Sequence, residues 1–298
     1  MNVSAAGLKQ LFQEHLDLSS TNLEDVAKSF TKLYVDYQGD VVKKVSVQTV
    51  PDTRYTWIDP PFGRSQRVVL FFHGGGYTMG STADHMQLIS SLVLLSGISM
   101  LGIDYRLCPQ HRFPAPLDDA ECAYRWLMED QKRAPEAIGF AGISAGGLLV
   151  TQLICRCQNR GIPIPSVALN MSGPMDLDFD RSSCTYNSEH DIVVAERLRN
   201  IQNYYLPQEP QELGDELHPA GIDYQQYPRT LFQAGDCEVL LDDNVEFYRI
   251  LRQQGHAVHL QVIPNMIHCG QMFSTIFRPG EIAIEGAAQF LKDSFPKL

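Results

Sequence analysis

The stretch AIGFAGISAGGLLV, residues 137–150, sets Ser144 between Gly142 and Gly146, with a further glycine at 147. Residues this small are used where the backbone must bend sharply or where another group must come close. Three kinds of site are built from such stretches: phosphate-cradling loops, dinucleotide loops, and the turn that presents a nucleophilic serine. A phosphate loop needs Lys and then Ser or Thr after its last glycine, but Gly147 is followed by Leu148. Neither this stretch nor HGGGYTMG, residues 73–80, has the G-x-G-x-x-G spacing of a dinucleotide loop. What fits is G-x-S-x-G, as Gly142-Ile143-Ser144-Ala145-Gly146. In that pattern a serine is held on a strained strand-to-helix turn, where larger neighbours at 142 and 146 would collide with the strand and the helix.

A serine hydroxyl is a weak nucleophile at neutral pH and needs a base, itself oriented by a carboxylate. On a turn of this kind the chain order is serine, acid, histidine, so both partners must follow Ser144. HLQVIPNMIHCGQMF places His268 in the loop after a strand, and it is the candidate base. His256 and His259 approach or begin that strand, and His190 and His218 fall in a long insertion. The acid must come from DCEVLLDD, residues 236–243. Asp236 and Glu238 both lie close enough to the preceding strand, and local physics does not separate them; Asp242 and Asp243 suit the start of the next helix. A second cluster, HGGG at 73–76, ends an apolar strand. Unshielded glycine N–H groups can reach a developing oxyanion, and losing one such donor costs about 100- to 1,000-fold in rate. The N–H of Ala145, next after the serine, is a further donor. Cys237 and Cys269 flank the candidate acid and base, but neither lies on an elbow of its own, so a thiol nucleophile is not indicated.

These groups need a scaffold that brings distant loops together. Strands are expected at 41–50, 67–76, 99–106, 137–143, 166–173, 229–235 and 259–264. Helices are expected at 4–17, 22–37, 116–130, from Ser144 to a stop at Gly161, 242–254 and 281–293, and 88–103 reads as a buried helix running into a buried strand. The alternation predicts an α/β fold, a mostly parallel central sheet with helices on both faces. Ligands of such sheets bind at the carboxyl ends of the strands, where both glycine clusters fall. Residues 174–218, rich in Asp, Tyr, Asn and Pro, are too long for a simple connection and form a candidate lid with the N-terminal helices. The chain then divides into 1–40, helices contributing to the cap; 41–173, the first part of the core; 174–218, the cap insertion; and 219–298, the second part of the core.

Composition narrows the partners. A chain of 298 residues that is 44% hydrophobic suits one large domain with a lid. Its 24 basic and 35 acidic residues, a net charge of −11, argue against nucleic acid and anionic membrane surfaces. The start has no basic region followed by an apolar run, so no signal peptide is expected. The most apolar stretch, 88–103, is too short and serine-rich to span a bilayer. Seven irregularly spaced cysteines suit reduced thiols and a cytoplasmic location. Cys155 and Cys157 have no second ligand pair nearby, so no metal is expected, and the serine chemistry calls for no cofactor.

With these motifs in order, the chain from about residue 67 onward resembles the hormone-sensitive-lipase-like esterases of the α/β-hydrolase fold. The resemblance rests on HGGGYTMGS, DYRLCPQHRFPAPLDDA, GISAGG, AGDCEVLLDD and NMIHCGQMF. It implies a serine carboxylesterase acting on small to medium acyl esters, with Ser144 as nucleophile and His268 as base. It favours Glu238 over Asp236 as the acid, and makes Gly75, Gly76 and Ala145 the oxyanion donors. The segment 104–120 becomes the scaffold of the oxyanion loop, and a cap covers the site. Its pocket candidates are Tyr77, Tyr186 and Tyr204, with Met79, Phe179 and Tyr205 beside them. The same machinery would serve a lactone hydrolase or a small-metabolite deacetylase, and the fold also occurs as a non-catalytic ligand-binding protein. A homodimer through the last strand, 259–264, is a further implication. Ile143 departs from the family's usual Asp or Thr, and Cys108 and Gln110 from its Ala and Glu; none of these is a catalytic group.

Overall fold

The run Val68-Val69-Leu70-Phe71-Phe72 has no polar side chain to turn toward water, so a strand made from it must be covered on both faces. In the structure, a computed structural model describing residues 3–16, 22–207 and 214–297, this run is a strand buried at every position. Asp17, at the end of the first expected helix, and 208–213 of the expected insertion lie outside the described residues.

The strands are β1 (Ser46–Thr49), β2 (Tyr55–Asp59), β3 (Val68–Phe72), β4 (Ser99–Ile103), β5 (Ile138–Ile143), β6 (Val167–Met171), β7 (Arg229–Gly235) and β8 (Val258–Ile263). The helices are α1 (Ala5–His15), α2 (Leu23–Asp36), α3 (Met86–Ser96), α4 (Ala115–Glu129), α5 (Ala145–Arg160), α6 (Ser183–Tyr186), α7 (Ala195–Tyr205), α8 (Leu241–Gln253) and α9 (Arg278–Ser294). The sheet order is β1-β2-β4-β3-β5-β6-β7-β8. The strands from β4 to β8 in that order run parallel, while β2 and β1 are antiparallel additions at one edge.

Because side chains alternate along a strand, each central strand feeds two cores. Val68, Leu70 and Phe72 pack with Phe140 and with the buried faces of α4 and α5, whereas Val69 and Phe71 pack with Ala141 and with α3 and α9. The mixed α/β fold predicted from the alternation is the fold observed. Phe72 is level with Gly142, and Gly235 with Ile263, so the loops after β3, β5, β7 and β8 leave from one end of the sheet.

Three strand expectations need correcting. Residues 40–44 form a 3-10 turn, and β1 begins only at Ser46. The chain leaves the ladder after Phe72 and after Ile103, earlier than residues 76 and 106, because the segments beyond are spent on the loops of the site. Strand β2 was not expected at all. Its five residues lie between Pro51 and Pro60, yet Trp57 and Ile58 are buried in the ladder beside β4.

Two pieces lie over the carboxyl end. Helix α1 is capped by the Ser4 hydroxyl, which accepts the Gly7 N–H at 3.1 Å, and α2 by Asn22, which accepts the Glu24 N–H at 3.1 Å. Their buried faces meet the turn after residue 269: the rings of Phe12 and Tyr34 lie 5.1 and 5.3 Å from that of Phe273. The second piece is the connection from β6 to β7, which carries α6 and α7. Tyr205, at the end of α7, stacks on Tyr77 at 3.9 Å. No helix among the described residues is long and apolar enough to cross a membrane.

Candidate active site

Ser144 stands between β5 and α5 with φ 54° and ψ −124°, a conformation side-chain-bearing residues rarely adopt. Its N–H donates to the Met171 carbonyl at 2.9 Å. The glycines around it are required by close approach. A Cβ on Gly142 would lie 2.1 Å from the Gly146 carbonyl oxygen, and one on Gly146 would lie 2.1 Å from that of Phe72. The first turn of α5 is therefore pressed directly onto β3 and β5, which is the collision the sequence pattern anticipates.

The loops after β7 and β8 bring the other groups to the serine. His268 Nε2 lies 2.9 Å from Ser144 Oγ. On the far side of the ring, Nδ1 lies 3.4 Å from Glu238 Oε2, longer than an ordinary hydrogen bond. Neither atom has a hydrogen-bond partner among the described residues, so they face each other. The Glu238 carboxylate is fully buried and held by its other oxygen, Oε1, which accepts the Ser172 hydroxyl and the Gly235 N–H, each at 2.7 Å. Asp236 is exposed and engaged elsewhere, accepting the Asn265 N–H at 2.7 Å. Of the two carboxylates that local sequence left level, it is Glu238 that faces the His268 ring. Burial works against a charged His268, while the Cys269 sulfur and the Glu238 carboxylate favour it, and the balance raises the imidazole well above its usual value.

The loop after β3 turns over the serine. Gly75 and Gly76 have φ of 117° and 60°, and a Cβ on Gly75 would lie 2.1 Å from the Met79 carbonyl oxygen. Among the described residues the N–H groups of Gly75, Gly76 and Ala145 donate to no protein acceptor, whereas Gly74 N–H is bound by His85 Nε2 at 3.0 Å. His85 Nδ1 donates to the Ser81 carbonyl at 2.9 Å, which leaves Nε2 as the acceptor. Burial, helped by the neighbouring His73, pushes the His85 pKa down to about 3, so it stays neutral in this role. The segment 104–120 reaches the loop through Tyr105, whose hydroxyl donates to the His73 carbonyl at 2.7 Å and whose ring stacks on His73 at 4.1 Å. Cys108 N–H adds a bond to the Tyr77 carbonyl at 2.8 Å.

Ser144 and His268 open into a cavity of about 100 Å³ with strongly apolar walls. The N-terminal helices supply Phe12 and Phe30, the loop after β3 Met79, and the insertion Phe179, Leu198 and Ile201. Tyr77 lines it too, its ring fixed against Tyr205. Tyr186 and Tyr204 do not. Tyr186 is half exposed and its hydroxyl donates to Asp242 at 3.1 Å. Tyr204 lies one helical step off the inward stripe of Leu198, Ile201 and Tyr205 and packs at the margin of the core. Tyr205 itself is consumed by its stack and by a 2.9 Å bond to Gln152.

Sequence reasoning named no role for Ser172, which holds the Glu238 carboxylate, for His85, which holds the Gly74 N–H, or for Asp191. The carboxylate of Asp191 accepts the N–H groups of His268 and Val239, each at 2.8 Å. None of the three belongs to a short motif. Each acts through a contact with a segment distant in sequence, which a linear pattern does not carry.

Residues 69–272 match a family pattern described as alpha/beta hydrolase fold. An acetyl-hydrolase of Streptomyces hygroscopicus is 32% identical over 256 residues, covering 85% of this chain and 82% of its own. An ethyl acetate hydrolase of Pseudomonas putida is 30% identical over 205 residues, 67% of this chain and 64% of its own. Among solved structures, an esterase from the bacterial hormone-sensitive lipase family matches with a TM-score of 0.90 at 29% identity, covering 98% of both chains.

Proposed function

The chain belongs to the α/β-hydrolase fold family, to its hormone-sensitive-lipase-like esterases, and from that premise we propose that Ser144, His268 and Glu238 form the triad of a carboxylic ester hydrolase. The observation that carries the reading is the 2.9 Å contact between Ser144 Oγ and His268 Nε2, with the buried Glu238 carboxylate behind the ring and unpaired N–H groups of Gly75, Gly76 and Ala145 in front.

His268 Nε2 takes the proton as Ser144 Oγ attacks the ester carbonyl, and the oxyanion is received by the three N–H groups. Glu238 keeps the Nδ1 proton on its own side of the ring and stabilises the imidazolium. That imidazolium returns its proton to the leaving alkoxide, leaving an acyl-Ser144. Water, deprotonated by His268, attacks the acyl carbon, and collapse of the second tetrahedral intermediate releases the acid. Every proton given up by one nucleophile goes to the next leaving group, so no other reagent is needed. The small apolar cavity supports short to medium acyl chains, in line with relatives named for acetyl and ethyl acetate hydrolysis. Seven free thiols support a reducing, cytoplasmic setting. The open edge of β8 supports a homodimer.

The test is hydrolysis of p-nitrophenyl acetate, butyrate and octanoate by the unaltered chain, Ser144→Ala, Glu238→Gln and Asp236→Asn, each checked for folding. Ser144→Ala is expected to abolish turnover. Glu238→Gln should lower kcat by about 10³- to 10⁴-fold, and Asp236→Asn by less than about tenfold. A folded Ser144→Ala with undiminished turnover would overturn the assignment.

A further inference from the structure

The acid and the base sit on separate loops, after β7 and after β8, and a triad works only when both are held in one geometry. The loops touch directly, through the Cys237 N–H to the Met266 carbonyl at 3.1 Å and the Asn265 N–H to Asp236 at 2.7 Å; among the described residues one side chain from outside both is hydrogen-bonded to each. Asp191 lies in the insertion between α6 and α7 and is 1% exposed. Its Oδ1 accepts the backbone N–H of His268 at 2.8 Å and that of Ile192 at 2.7 Å; its Oδ2 accepts the N–H of Val239, next to Glu238, at 2.8 Å. Other insertion residues hold the acid loop alone. Asn187 Nδ2 donates to the carbonyls of Asp236 and Glu238 at 3.0 and 2.8 Å, and Ser183 Oγ donates to that of Val239 at 2.7 Å. Asp191 is thus the member of this group that also binds the base at its own backbone.

We propose that Asp191 is a positioning residue for ester hydrolysis, clamping the His268 and Glu238 loops to each other through the cap, so that the cap organises the catalytic groups as well as covering them. The inference rests on the triad proposed above.

A buried carboxylate with three N–H donors is costly to place there without them, and a donor at the same position would push the two loops apart. Only the ionised form offers both oxygens as acceptors. Its surroundings are demanding: burial, with Glu238 adding to it and His268 opposing, raises the Asp191 pKa to about 6. Cys237 and Cys269, the other titratable groups acting on this site, are thiols that burial holds above their ordinary values. Protonation of Asp191 therefore loosens the clamp in the same pH range in which His268 is already losing its function as a base.

The experiment measures kcat and KM for p-nitrophenyl butyrate from pH 5 to 9 in the unaltered enzyme, Asp191→Asn, Asp191→Ala and Ser144→Ala, with thermal unfolding of each. For the Asp191 variants, kcat is expected to fall about 10- to 100-fold while KM stays within about threefold. In the unaltered enzyme log kcat/KM should fall with a slope above 1 below about pH 6, from two ionisations, and with a slope of 1 in Asp191→Asn. Folded Asp191 variants with undiminished kcat beside an inactive Ser144→Ala would overturn this inference and leave the triad standing. An active Ser144→Ala would overturn the triad itself. Should neither Asp191 variant fold, the unaltered enzyme decides: a slope above 1 supports the clamp, and a slope of 1 throughout rejects it.

Discussion

Replacing Gly146 by alanine tests the idea that this glycine is present for contact rather than for flexibility. Its backbone is helical, so a methyl group adds no dihedral strain. The obstacle is space: the new Cβ would lie 2.1 Å from the Phe72 carbonyl oxygen and 2.6 Å from that of His73, where real Cβ contacts essentially never fall below 3.0 Å. Both obstructing atoms are backbone, one ending β3 and the other opening the loop after it, so neither can swing aside. Helix α5 must withdraw from β3 by roughly 1 Å, and such overpacking costs about 1–3 kcal/mol. The same shift carries the Ala145 N–H and the Ser144 hydroxyl away from Gly75, Gly76 and His268, and a displacement of that size is worth about 100-fold in rate. Gly161→Ala, at the other end of α5, is the control. It has φ 64° but nothing within 4 Å, so it should cost about 1 kcal/mol and leave turnover unchanged. Thermal unfolding and p-nitrophenyl butyrate hydrolysis read both variants. If Gly146→Ala keeps kcat within about threefold, or Gly161→Ala lowers turnover as much, the close-packing account of the elbow is wrong.

Because the His268 pKa is raised and only its neutral form is a base, kcat/KM should rise with pH to a midpoint above 6.5. Glu238→Gln removes a carboxylate that favours the imidazolium and should move that midpoint down, whereas an unchanged midpoint would count against the pairing. Leu198→Trp fills the cavity from α7 and should lower the butyrate-to-acetate ratio of kcat/KM by about tenfold; an unchanged ratio would place the acyl chain elsewhere. His85→Ala frees the Gly74 N–H, and kcat should drop by about 10- to 100-fold with little change in KM. A monomer by small-angle scattering at micromolar concentration would rule out the proposed pairing through β8.

How much of this was legible in the sequence depended on how locally each feature is encoded. The elbow glycines and the apolar runs of β3 and β5 are written in consecutive residues, so pattern and physics coincide. Strand β2 escaped because prolines crowd a run of five residues, although Trp57 and Ile58 carried the β-forming signal. Local sequence left Asp236 and Glu238 level, and only the family resemblance favoured Glu238. Both suit a strand end, and what distinguishes them is that Ser172 and the Gly235 N–H grip one while Asn265 occupies the other. Among the cap aromatics, only the direction in which each residue of α7 faces separates Tyr204 from the lining residues, and that depends on docking against Tyr77.

The way α1 and α2 lie against Phe273 sets an order of assembly. Residues 5–36 leave the ribosome ahead of the sheet, yet the surface that buries Leu8, Phe12 and Tyr34 includes a turn made more than two hundred residues later. Helices of this length are marginal without packing, and although Phe30 and Tyr34 also meet His85, at 6.4 and 6.0 Å, their packing is complete only once that turn has been synthesised. The elbow is made midway and the proposed acid and base follow well after it, so the wall of the cavity and the proposed triad are completed together. Until residue 268 is made the chain lacks its proposed base, and until Phe273 is made the rings of Phe12 and Tyr34 lack one of their partners. A variant lacking the first 36 residues would keep Ser144, Glu238 and His268 while leaving bare the apolar floor those helices cover.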